Sequence, residues 1–324
     1  MTQTRPKPNG ARAAVIGAGS MGTLIAATLG RVIPVVMVCR DESRATQLFR
    51  WGASVEGLIA AHARPIVVRS IDEIPNAGGA DLIFVATKTT AIPAVAKVLA
   101  PVLPSISNVG RRPVVVSFQN GIDPGRELMQ RLNHDRVIRM VLSLGATLTE
   151  DGRAVRLTLN QTPHEIGSVD PQHSELCESI AGLLAEGGLE TAFTPDIESA
   201  VWKKAIVNAA VNPVAALVNA SVGDVIDGPS RIIMNRLLDE GVAVARSAGV
   251  QLPDDYVPRV LALIQSARDH IPSMVEDIRS GRESEIGQLN RQIMDRGRKL
   301  GVPVPTHETI DALIETFDWK VYHR

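Results

Sequence analysis

Residues 13–30 read AAVIGAGSMGTLIAATLG, and this stretch decides the fold of the N-terminal half. The apolar run over residues 12–16 predicts a buried strand, and the residues after the glycines predict a helix. Gly17, Gly19 and Gly22 form G-x-G-x-x-G between them. These glycines permit a tight turn, close approach of a pyrophosphate to the backbone, and close packing of helix on strand. A purely structural turn is the alternative, but the flanking strand and helix favour a dinucleotide-binding loop.

The same alternation of apolar strands and helices continues through the first half of the chain. VIPVVMVCR, residues 32–40, predicts a second strand. Further strands are predicted at residues 66–68, 80–87, 112–119 and 136–143, with helical stretches between most of them. This order is typical of βαβ units in a doubly wound parallel sheet. We therefore expect an α/β, Rossmann-like N-terminal domain.

The end of the second predicted strand indicates which dinucleotide binds. An Asp or Glu there holds the ribose 2′-hydroxyl of NAD, whereas an Arg suits the 2′-phosphate of NADP. Arg40 lies at the tip of the strand, followed by Asp41 and then Arg44. Because a guanidinium matches phosphate geometry, Arg40 favours NADP(H), and a surface Arg–Asp pair is the alternative. The loop expected to bind the cofactor comprises Gly17, Ala18, Gly19, Ser20, Met21 and Gly22.

Two further strand ends carry polar residues. Ligands of doubly wound sheets bind outside the carboxyl ends of the strands. Lys88 follows one predicted strand and Asn120 follows the next. Asn120-Gly121 is also a common turn signal, but no second alternating strand follows it promptly. We expect Asn120 to face the cofactor crevice and Lys88 to contact the cofactor, with an exposed loop lysine as the alternative for Lys88.

The pattern changes after Thr194, where strand-like runs give way to helical periodicity. Thr194 is a favourable N-cap and Pro195 a favourable first helical residue, so we predict a domain boundary here. The predicted domains are residues 1–193, Rossmann-like and NADP-binding, and residues 194–324, all-α and responsible for substrate binding and catalysis. Pro213 is expected to kink or break the first of these helices.

That helix contains VWKKAIVNAAVNP, residues 201–213. Lys204, Asn208 and Asn212 are four apart and therefore share one helical face. A solvated face is the simple alternative, but such faces usually carry Glu, Lys, Arg and Gln, because Asn competes for backbone hydrogen bonds. The remaining residues are small and apolar, which predicts burial. Buried polar side chains need partners, and a bound polar ligand would supply them.

A second polar cluster lies in SMVEDIRSGRESEIGQLN, residues 273–290. Ser273 and Glu276 fit the spacing of a helix capping box. Glu285 is expected to head the following helix, where a carboxylate is favoured by the helix dipole. Both features have an ordinary structural explanation, so these residues by themselves do not indicate a site.

Composition argues against several other classes of protein. Of the 324 residues, 45% are hydrophobic and 21% are charged, which is typical of a globular protein. A formal net charge of -1 and an aromatic content of 3% argue against nucleic-acid or anionic-membrane binding. Cys39 and Cys177 fit neither a metal site nor a disulfide framework, which favours a reducing, cytoplasmic setting without a metal. Glycines interrupt the uncharged run at residues 13–30, so we expect no signal peptide or membrane span there.

Several motifs together resemble the ketopantoate reductase (2-dehydropantoate 2-reductase) family. They are GAGSMG near the N-terminus, Lys88, QNG at 119–121, WKKAIVNAAVNP at 202–213, SMVEDIRSGRESEI at 273–286 and LGVPVPTHETIDALI at 300–314. The resemblance runs through nearly the whole chain in the expected order. It implies NADPH-dependent reduction of ketopantoate to pantoate, a step of pantothenate biosynthesis.

The resemblance also implies a role for each matching residue. Lys204 would be the catalytic lysine that donates a proton to the carbonyl oxygen, and Arg40 would bind the 2′-phosphate. Asn120 would lie near both nicotinamide and substrate. The residues implied to bind substrate are Asn120, Asn208, Asn212, Ser273 and Glu285; those implied to contact the cofactor beyond the glycine-rich loop are Arg40, Lys88, Asn120 and Glu285.

A few positions depart from the family pattern on the substrate side. Residues 146–167 contain fewer glycines than expected, Gly287 replaces the usual acidic residue, and Pro272 and Arg291 stand where serine and glycine are common. A reductase of another branched or bulky 2-oxo acid is therefore an alternative. A non-catalytic NADP(H)-binding regulator is another, although Lys204 argues against it. The apolar faces of the helical half are also compatible with a homodimer.

Overall fold

The computed structural model describes residues 10–107, 110 and 112–323, and within these the chain forms twelve strands and twelve α-helices. The strands are β1 (Ala13–Ile16), β2 (Val35–Val38), β3 (Ala53–Gly57), β4 (Ala61–Ala63), β5 (Ile66–Val68), β6 (Leu82–Val85), β7 (Val114–Ser117), β8 (Val137–Val141), β9 (Leu144–Leu148), β10 (Val155–Asn160), β11 (His164–Gly167) and β12 (Thr191–Phe193). The helices are α1 (Ser20–Leu29), α2 (Glu42–Trp51), α3 (Ile92–Val102), α4 (Pro124–Leu132), α5 (Ser174–Glu186), α6 (Ile197–Val218), α7 (Val222–Asp227), α8 (Arg231–Ser247), α9 (Tyr256–Ser266), α10 (Ser273–Arg279), α11 (Asn290–Leu300) and α12 (Pro305–His323).

The chain divides into two compact units. The first runs to Gln119 and resumes over Pro124–Pro195. The second comprises the short segment Asn120–Asp123 together with the chain from Asp196 onward. Four residues from the first half of the sequence therefore fold with the helical half.

The first unit contains an eight-stranded sheet in the order β12-β11-β8-β7-β6-β1-β2-β5. The strands from β8 to β5 in this order are paired in parallel, and β11 runs antiparallel to β8. The chain proceeds from β1 outward through β2 to β5, and then returns to the other side of β1 with β6. This reversal confirms the predicted doubly wound topology and places its switch point between β1 and β6.

Both faces of this sheet are covered. Alternate residues of β1 contribute to two separate hydrophobic clusters, Ala13 and Val15 to one and Ala14 and Ile16 to the other. Helices α1 and α5 pack in the first cluster, and α3 and α4 in the second. Burial on both faces explains why these strands are continuous apolar runs. All the strands predicted from such runs are present.

Six strands were not predicted. Four of them form a second sheet in the order β4-β3-β10-β9, and β11 and β12 extend the large sheet at one edge. They are shorter or half-buried, and β4 consists of only Ala61–Ala63. Their polar residues remove the continuous apolar signal, so pairing with strands distant in sequence decides their conformation.

The second unit is helical, as predicted. Its core is formed by side chains of α6 through α12. None of the helices among the described residues is long and apolar enough to cross a membrane.

The prediction that Thr194 caps the first helix of this half is wrong. Asp196 is the N-cap of α6, and its carboxylate accepts a hydrogen bond from the backbone N–H of Ser199 at 3.1 Å. Thr194 instead donates its backbone N–H to the carbonyl of Ile166 at 2.9 Å, which continues the ladder beside β12. A strand-type hydrogen bond therefore follows β12 at residue 194, and the helix begins at Ile197.

Pro213 was predicted to kink or break this helix; it does not break it, because α6 continues to Val218. Proline has no N–H to donate to the carbonyl four residues earlier, here that of Ala209. The Asn290 side chain donates to that carbonyl at 2.9 Å. A side chain from another helix therefore replaces the missing backbone bond.

The capping box predicted at Ser273 is absent. Ser273 is the first residue of α10, Pro272 is the N-cap, and no side-chain cap is formed. The capping box observed in this unit lies at the start of α7, where Ser221 and Asp224 bond reciprocally.

Candidate active site

The glycine-rich loop of the first unit follows β1 and leads into α1. Gly17 has a positive φ of 112°, and a Cβ there would lie 3.0 Å from the carbonyl group of Ala86. Gly22 packs so closely on the loop that a Cβ would overlap the carbonyl oxygen of Gly17. The first and third glycines therefore satisfy packing requirements within the protein itself.

Gly19 differs, because a Cβ there would meet no atom within 4 Å. It is the N-cap of α1, whose first turn contains no acidic residue and whose N-cap has no side-chain hydrogen bond. Nearby, Thr87 lies against Gly17 and its hydroxyl oxygen is buried without a hydrogen-bond partner among the described residues. Open space, a helix N-terminus and an unsatisfied hydroxyl fit the pyrophosphate of a dinucleotide.

The remaining residues predicted in this loop, Ala18, Ser20 and Met21, are half-buried. The Ala18 carbonyl accepts a hydrogen bond from Arg44 Nε at 3.1 Å. Arg44 Nη2 also donates to Thr23 Oγ1 at 2.8 Å, and its Nη1 donates to the carbonyl of Gly152. Burial lowers the pKa of this guanidinium. Arg44 therefore holds the loop, α1 and the β9–β10 turn together.

Arg40 lies just beyond β2, and its side chain is exposed. The backbone there is held by Arg69, whose Nε donates to the Cys39 carbonyl at 3.1 Å and whose Nη2 donates to the Arg40 carbonyl. Asp41, the acidic neighbour, caps α2 by accepting the Arg44 N–H at 2.7 Å. The Asp41 carboxylate thus has a structural role at the start of α2. The exposed Arg40 guanidinium provides a cation at the end of β2.

Lys88 follows β6 and precedes a 3-10 turn at Thr89–Ala91; its side chain is exposed. Gln119 follows β7, and its amide is buried, donating to the Val85 carbonyl at 2.8 Å and accepting from Ser117 Oγ at 2.8 Å. Arg139 donates to the Gln119 carbonyl at 2.6 Å. The chain is thus rigidly held up to the residue before Asn120.

In the second unit, the polar face of α6 carries the three residues that its spacing predicted. Lys204 and Asn208 are half-buried, and Asn212 is 9% exposed. The Asn212 side chain has no hydrogen bond to the described residues. The face is therefore not the solvated face of an ordinary surface helix.

Asn120 joins this face to a second element. Its amide nitrogen donates to Glu285 Oε2 at 2.9 Å, and its amide oxygen accepts from Asn208 Nδ2 at 3.4 Å. A carboxylate only accepts, so Glu285 fixes which end of the Asn120 amide faces which partner. The result is a hydrogen-bonded chain Asn208–Asn120–Glu285, one helical turn from Lys204.

The short segment that carries Asn120 is held by α11. Gln292 Oε1 accepts hydrogen bonds from the backbone N–H groups of Ile122 at 2.7 Å and Asp123 at 3.2 Å. Arg296 forms an ion pair with Asp123 and lies over the Trp202 ring, 5.5 Å from its centroid. These contacts explain why residues 120–123 belong to the helical unit.

Glu285 is held from the other side by the last helix. Asp318 accepts hydrogen bonds from the backbone N–H of Ser284 at 2.8 Å and from its hydroxyl at 2.7 Å. Ser284 Oγ in turn accepts from the N–H of Ile286 at 3.2 Å. Glu285 itself precedes a 3-10 turn at Ile286–Gln288, whereas the next α-helix, α11, begins at Asn290 rather than at Glu285 as predicted.

Of the residues predicted to bind substrate, the structure joins Asn120, Asn208 and Glu285 by hydrogen bonds. Ser273 is exposed, and its side chain has no hydrogen bond to the described residues. Gln292, Arg296 and Asp318 were not among the residues predicted from the sequence. No local signal identifies them, because Gln292 acts on a backbone group 170 positions away.

Within the part of the chain that the structure describes, no group of three or more His, Cys, Asp or Glu side chains could hold a metal ion. The two cysteines are free and buried. The first unit thus carries the glycine-rich loop, and the second carries a cluster of a lysine, amides and a carboxylate.

Comparison with known families identifies this combination. The profile of "Ketopantoate reductase PanE/ApbA" matches residues 13–171, and that of "Ketopantoate reductase PanE/ApbA C terminal" matches residues 196–318. The chain belongs to this family. The two matched segments contain the glycine-rich loop and α6, respectively, so membership rests on both units.

Individual family members resemble the chain over almost its whole length. The 2-dehydropantoate 2-reductase of Archaeoglobus fulgidus is 28% identical over 305 residues, which cover 94% of this chain and 96% of the relative. The crystal structure of a PanE/ApbA family ketopantoate reductase from Ralstonia eutropha is 25% identical, covers 96% of this chain and 100% of its own, and has a TM-score of 0.82.

The fold also occurs in a differently named enzyme. The ternary structure of D-mandelate dehydrogenase with NADH and anilino(oxo)acetate has a TM-score of 0.83 at 21% identity, covering 96% of this chain and 99% of that one. At this identity the likeness concerns the fold alone. Together with membership of a reductase family, the glycine-rich loop makes a nicotinamide dinucleotide the cofactor of this protein.

Proposed function

We propose that this protein is an NADPH-dependent 2-dehydropantoate 2-reductase that forms pantoate in the cytoplasm, as a step of pantothenate biosynthesis. The observation that carries the proposal is the hydrogen-bonded chain Asn208–Asn120–Glu285 one helical turn from Lys204, in a member of the ketopantoate reductase family. Lys204 would supply a cation and this chain several polar groups, which are the kinds of group that binding and reduction of a 2-oxo acid require.

When bound, the reduced nicotinamide would supply a hydride to the ketone carbon of the substrate. Negative charge then develops on the carbonyl oxygen, and the Lys204 ammonium stabilises that charge and donates the proton. Asn208 and Asn212 bind the polar groups of the substrate, since an amide can donate to a carboxylate or accept from a hydroxyl. Asn120 and Glu285 orient each other and the substrate beside Lys204. Ser273 is a further residue proposed to bind the substrate.

The preference for NADPH rests on Arg40. Its guanidinium is exposed at the carboxyl end of β2, and its backbone is held by Arg69. Asp41 is engaged as a helix cap, and Arg44 is engaged with the glycine-rich loop. Arg40 is accordingly the residue proposed to bind the 2′-phosphate, with Lys88 as a further cofactor contact.

The direct test mixes purified protein with NADPH and ketopantoate and follows the loss of reduced nicotinamide. Lys204→Ala is expected to lower kcat by about 100-fold or more, because proton transfer and oxyanion stabilisation are removed together. Lys203→Ala is the matched control: Lys203 is exposed and lies off the polar face, so this variant should retain wild-type turnover. NADH should give a slower reaction.

Three outcomes would contradict parts of the proposal. Tight NADPH binding without ketopantoate turnover would indicate another 2-oxo acid, to be sought with a panel of branched and aromatic 2-oxo acids. Equal turnover by the Lys204→Ala variant would remove the assigned proton donor. A Lys204→Ala protein that kept all its biological activity would instead favour a non-catalytic regulator.

A further inference from the structure

Pro213 leaves one backbone carbonyl of α6 without the backbone N–H that would normally donate to it. In α6 the carbonyl of Ala209 would accept from the N–H of residue 213, which proline lacks. Ala209 is fully buried, so water cannot easily replace the missing donor. This carbonyl lies between Asn208 and Asn212, within the turn that sets the spacing of these two side chains.

Asn290 supplies the replacement. It is the first residue of α11 and is fully buried, and its Nδ2 donates to the Ala209 carbonyl at 2.9 Å. The same nitrogen lies 3.0 Å from His307 Nδ1. Both of these neighbours accept, because His307 Nε2, 3.0 Å from the Leu237 carbonyl, must be the protonated ring nitrogen. The two N–H groups of one amide are thus committed to two acceptors.

His307 anchors this amide to the rest of the helical unit. It is fully buried in α12, and its Nε2–H donates to α8 while its Nδ1 accepts from α11. Its backbone N–H donates to Glu240 Oε2 at 3.1 Å. A continuous series of hydrogen bonds therefore runs from α8 through His307 and Asn290 to the Ala209 carbonyl of α6.

We propose that Asn290 and His307 are positioning residues that hold the turn of α6 between Asn208 and Asn212 in the geometry that binds substrate. The inference rests on the proposed function for the identity of the substrate, but its local structural part stands independently of it. Neither residue touches the reacting groups in this account. Their effect reaches the substrate through the carbonyl of Ala209 and the two asparagines beside it.

The test is a double-mutant cycle between the amide and the proline. Asn290→Ala removes the donor and is expected to raise KM for ketopantoate about tenfold, the effect of leaving one buried acceptor unsatisfied. Pro213→Ala restores a backbone N–H at residue 213 and should itself leave KM within about twofold of wild type. In the double variant the restored N–H satisfies Ala209, so most of the rise in KM should disappear.

Two further readouts and one further variant separate positioning from general stability. The Kd for NADPH should change less than the KM for ketopantoate in all variants, because the glycine-rich loop, Arg40 and Lys88 belong to the other unit. Hydrogen exchange of α6 amides around residues 208–216 should accelerate in Asn290→Ala and return toward wild type in the double variant. His307→Asn should weaken the same protection, since the anchor of Asn290 is altered.

The outcomes are distinct. If Asn290→Ala fails to fold but the Pro213→Ala double variant folds, the carbonyl is the point of action and the inference is supported; if both fail, it is overturned. It is also overturned if KM and exchange in Asn290→Ala match wild type, or if Pro213→Ala does not suppress the changes. If wild type does not reduce ketopantoate, the proposed function fails, whereas the exchange measurements still decide the local inference.

Discussion

The amide of Asn120 shows how single residues acquire their roles in this protein. Its neighbours in sequence indicate only a turn after a strand, whereas its partners are Asn208 and Glu285, 88 and 165 positions later. Arg40 and Asp41 make the same point: the sequence places both at one strand end, and only the observed cap on α2 separates their roles. The chemistry of these residue types could be predicted from the sequence, but the partner and role of each residue could not.

At the residue scale, Arg40→Ala tests the choice of cofactor. Loss of a charge-assisted contact to the 2′-phosphate should raise KM for NADPH about 10- to 100-fold. KM for NADH should change little, because NADH carries no 2′-phosphate. Steady-state kinetics with both cofactors checks this, with Arg50→Ala as the control because Arg50 is exposed in the last turn of α2. A parallel loss with both cofactors would contradict the assignment.

At the element scale, the β1–loop–α1 unit and α6 behave differently. The pattern of the first predicts its structure because the strand, the turn and the start of the helix are each indicated by residues within it, although Gly17 and Gly22 also pack against Ala86. Helix α6 departs from its local signals at both ends of the polar face: it starts at Ile197, and it passes through Pro213. Both departures come from partners in other elements, the β12 ladder and Asn290.

Substitution of two loop glycines by alanine should affect different properties, stability at Gly22 and NADPH affinity at Gly19. Gly22→Ala would place a Cβ against the carbonyl oxygen of Gly17, so it should lower the free energy of unfolding by about 2–4 kcal/mol. Gly19→Ala meets no atom and has a φ of -76° at that position, so folding should be unaffected. Its methyl group would instead occupy the space expected for pyrophosphate and raise the Kd for NADPH at least about tenfold.

Denaturant unfolding and fluorescence titration with NADPH check this pair of variants. The roles assigned to the two glycines would be wrong if Gly19→Ala bound NADPH as tightly as wild type, or if Gly22→Ala were as stable.

At the scale of the whole molecule, three histidines resist protonation: His134 and His307 are buried, and His270 is half-buried. Desolvation lowers the pKa of His134 in the first unit and of His270 and His307 in the second. The unfolded chain binds these protons at a pKa near 6.5, as a rough reference value, whereas the folded chain binds them only at lower pH. Stability should therefore be full above this value and fall as the pH decreases below it.

Each such histidine contributes up to ~1.4 kcal/mol per pH unit in that window. Melting temperatures measured between about pH 7.5 and 5 should decrease toward acid, and His307→Gln should flatten part of this dependence. His62→Gln is the control, because His62 is exposed. If the melting temperature decreased toward acid pH by the same amount in His307→Gln and wild type, the contribution of His307 would be contradicted.

By itself, the sequence determined the doubly wound core of the first unit, the helical character of the second, and the shared face of Lys204, Asn208 and Asn212. These features follow from apolar continuity and from spacings of a few residues, which local backbone geometry translates directly into structure. The tertiary structure decided that residues 120–123 join the helical unit and that Asn120 pairs with Asn208 and Glu285. It also decided that Asn290 donates to the Ala209 carbonyl, for which Pro213 has no N–H. Such hydrogen bonds depend on which distant groups are left unsatisfied when the chain packs, and no local pattern encodes that.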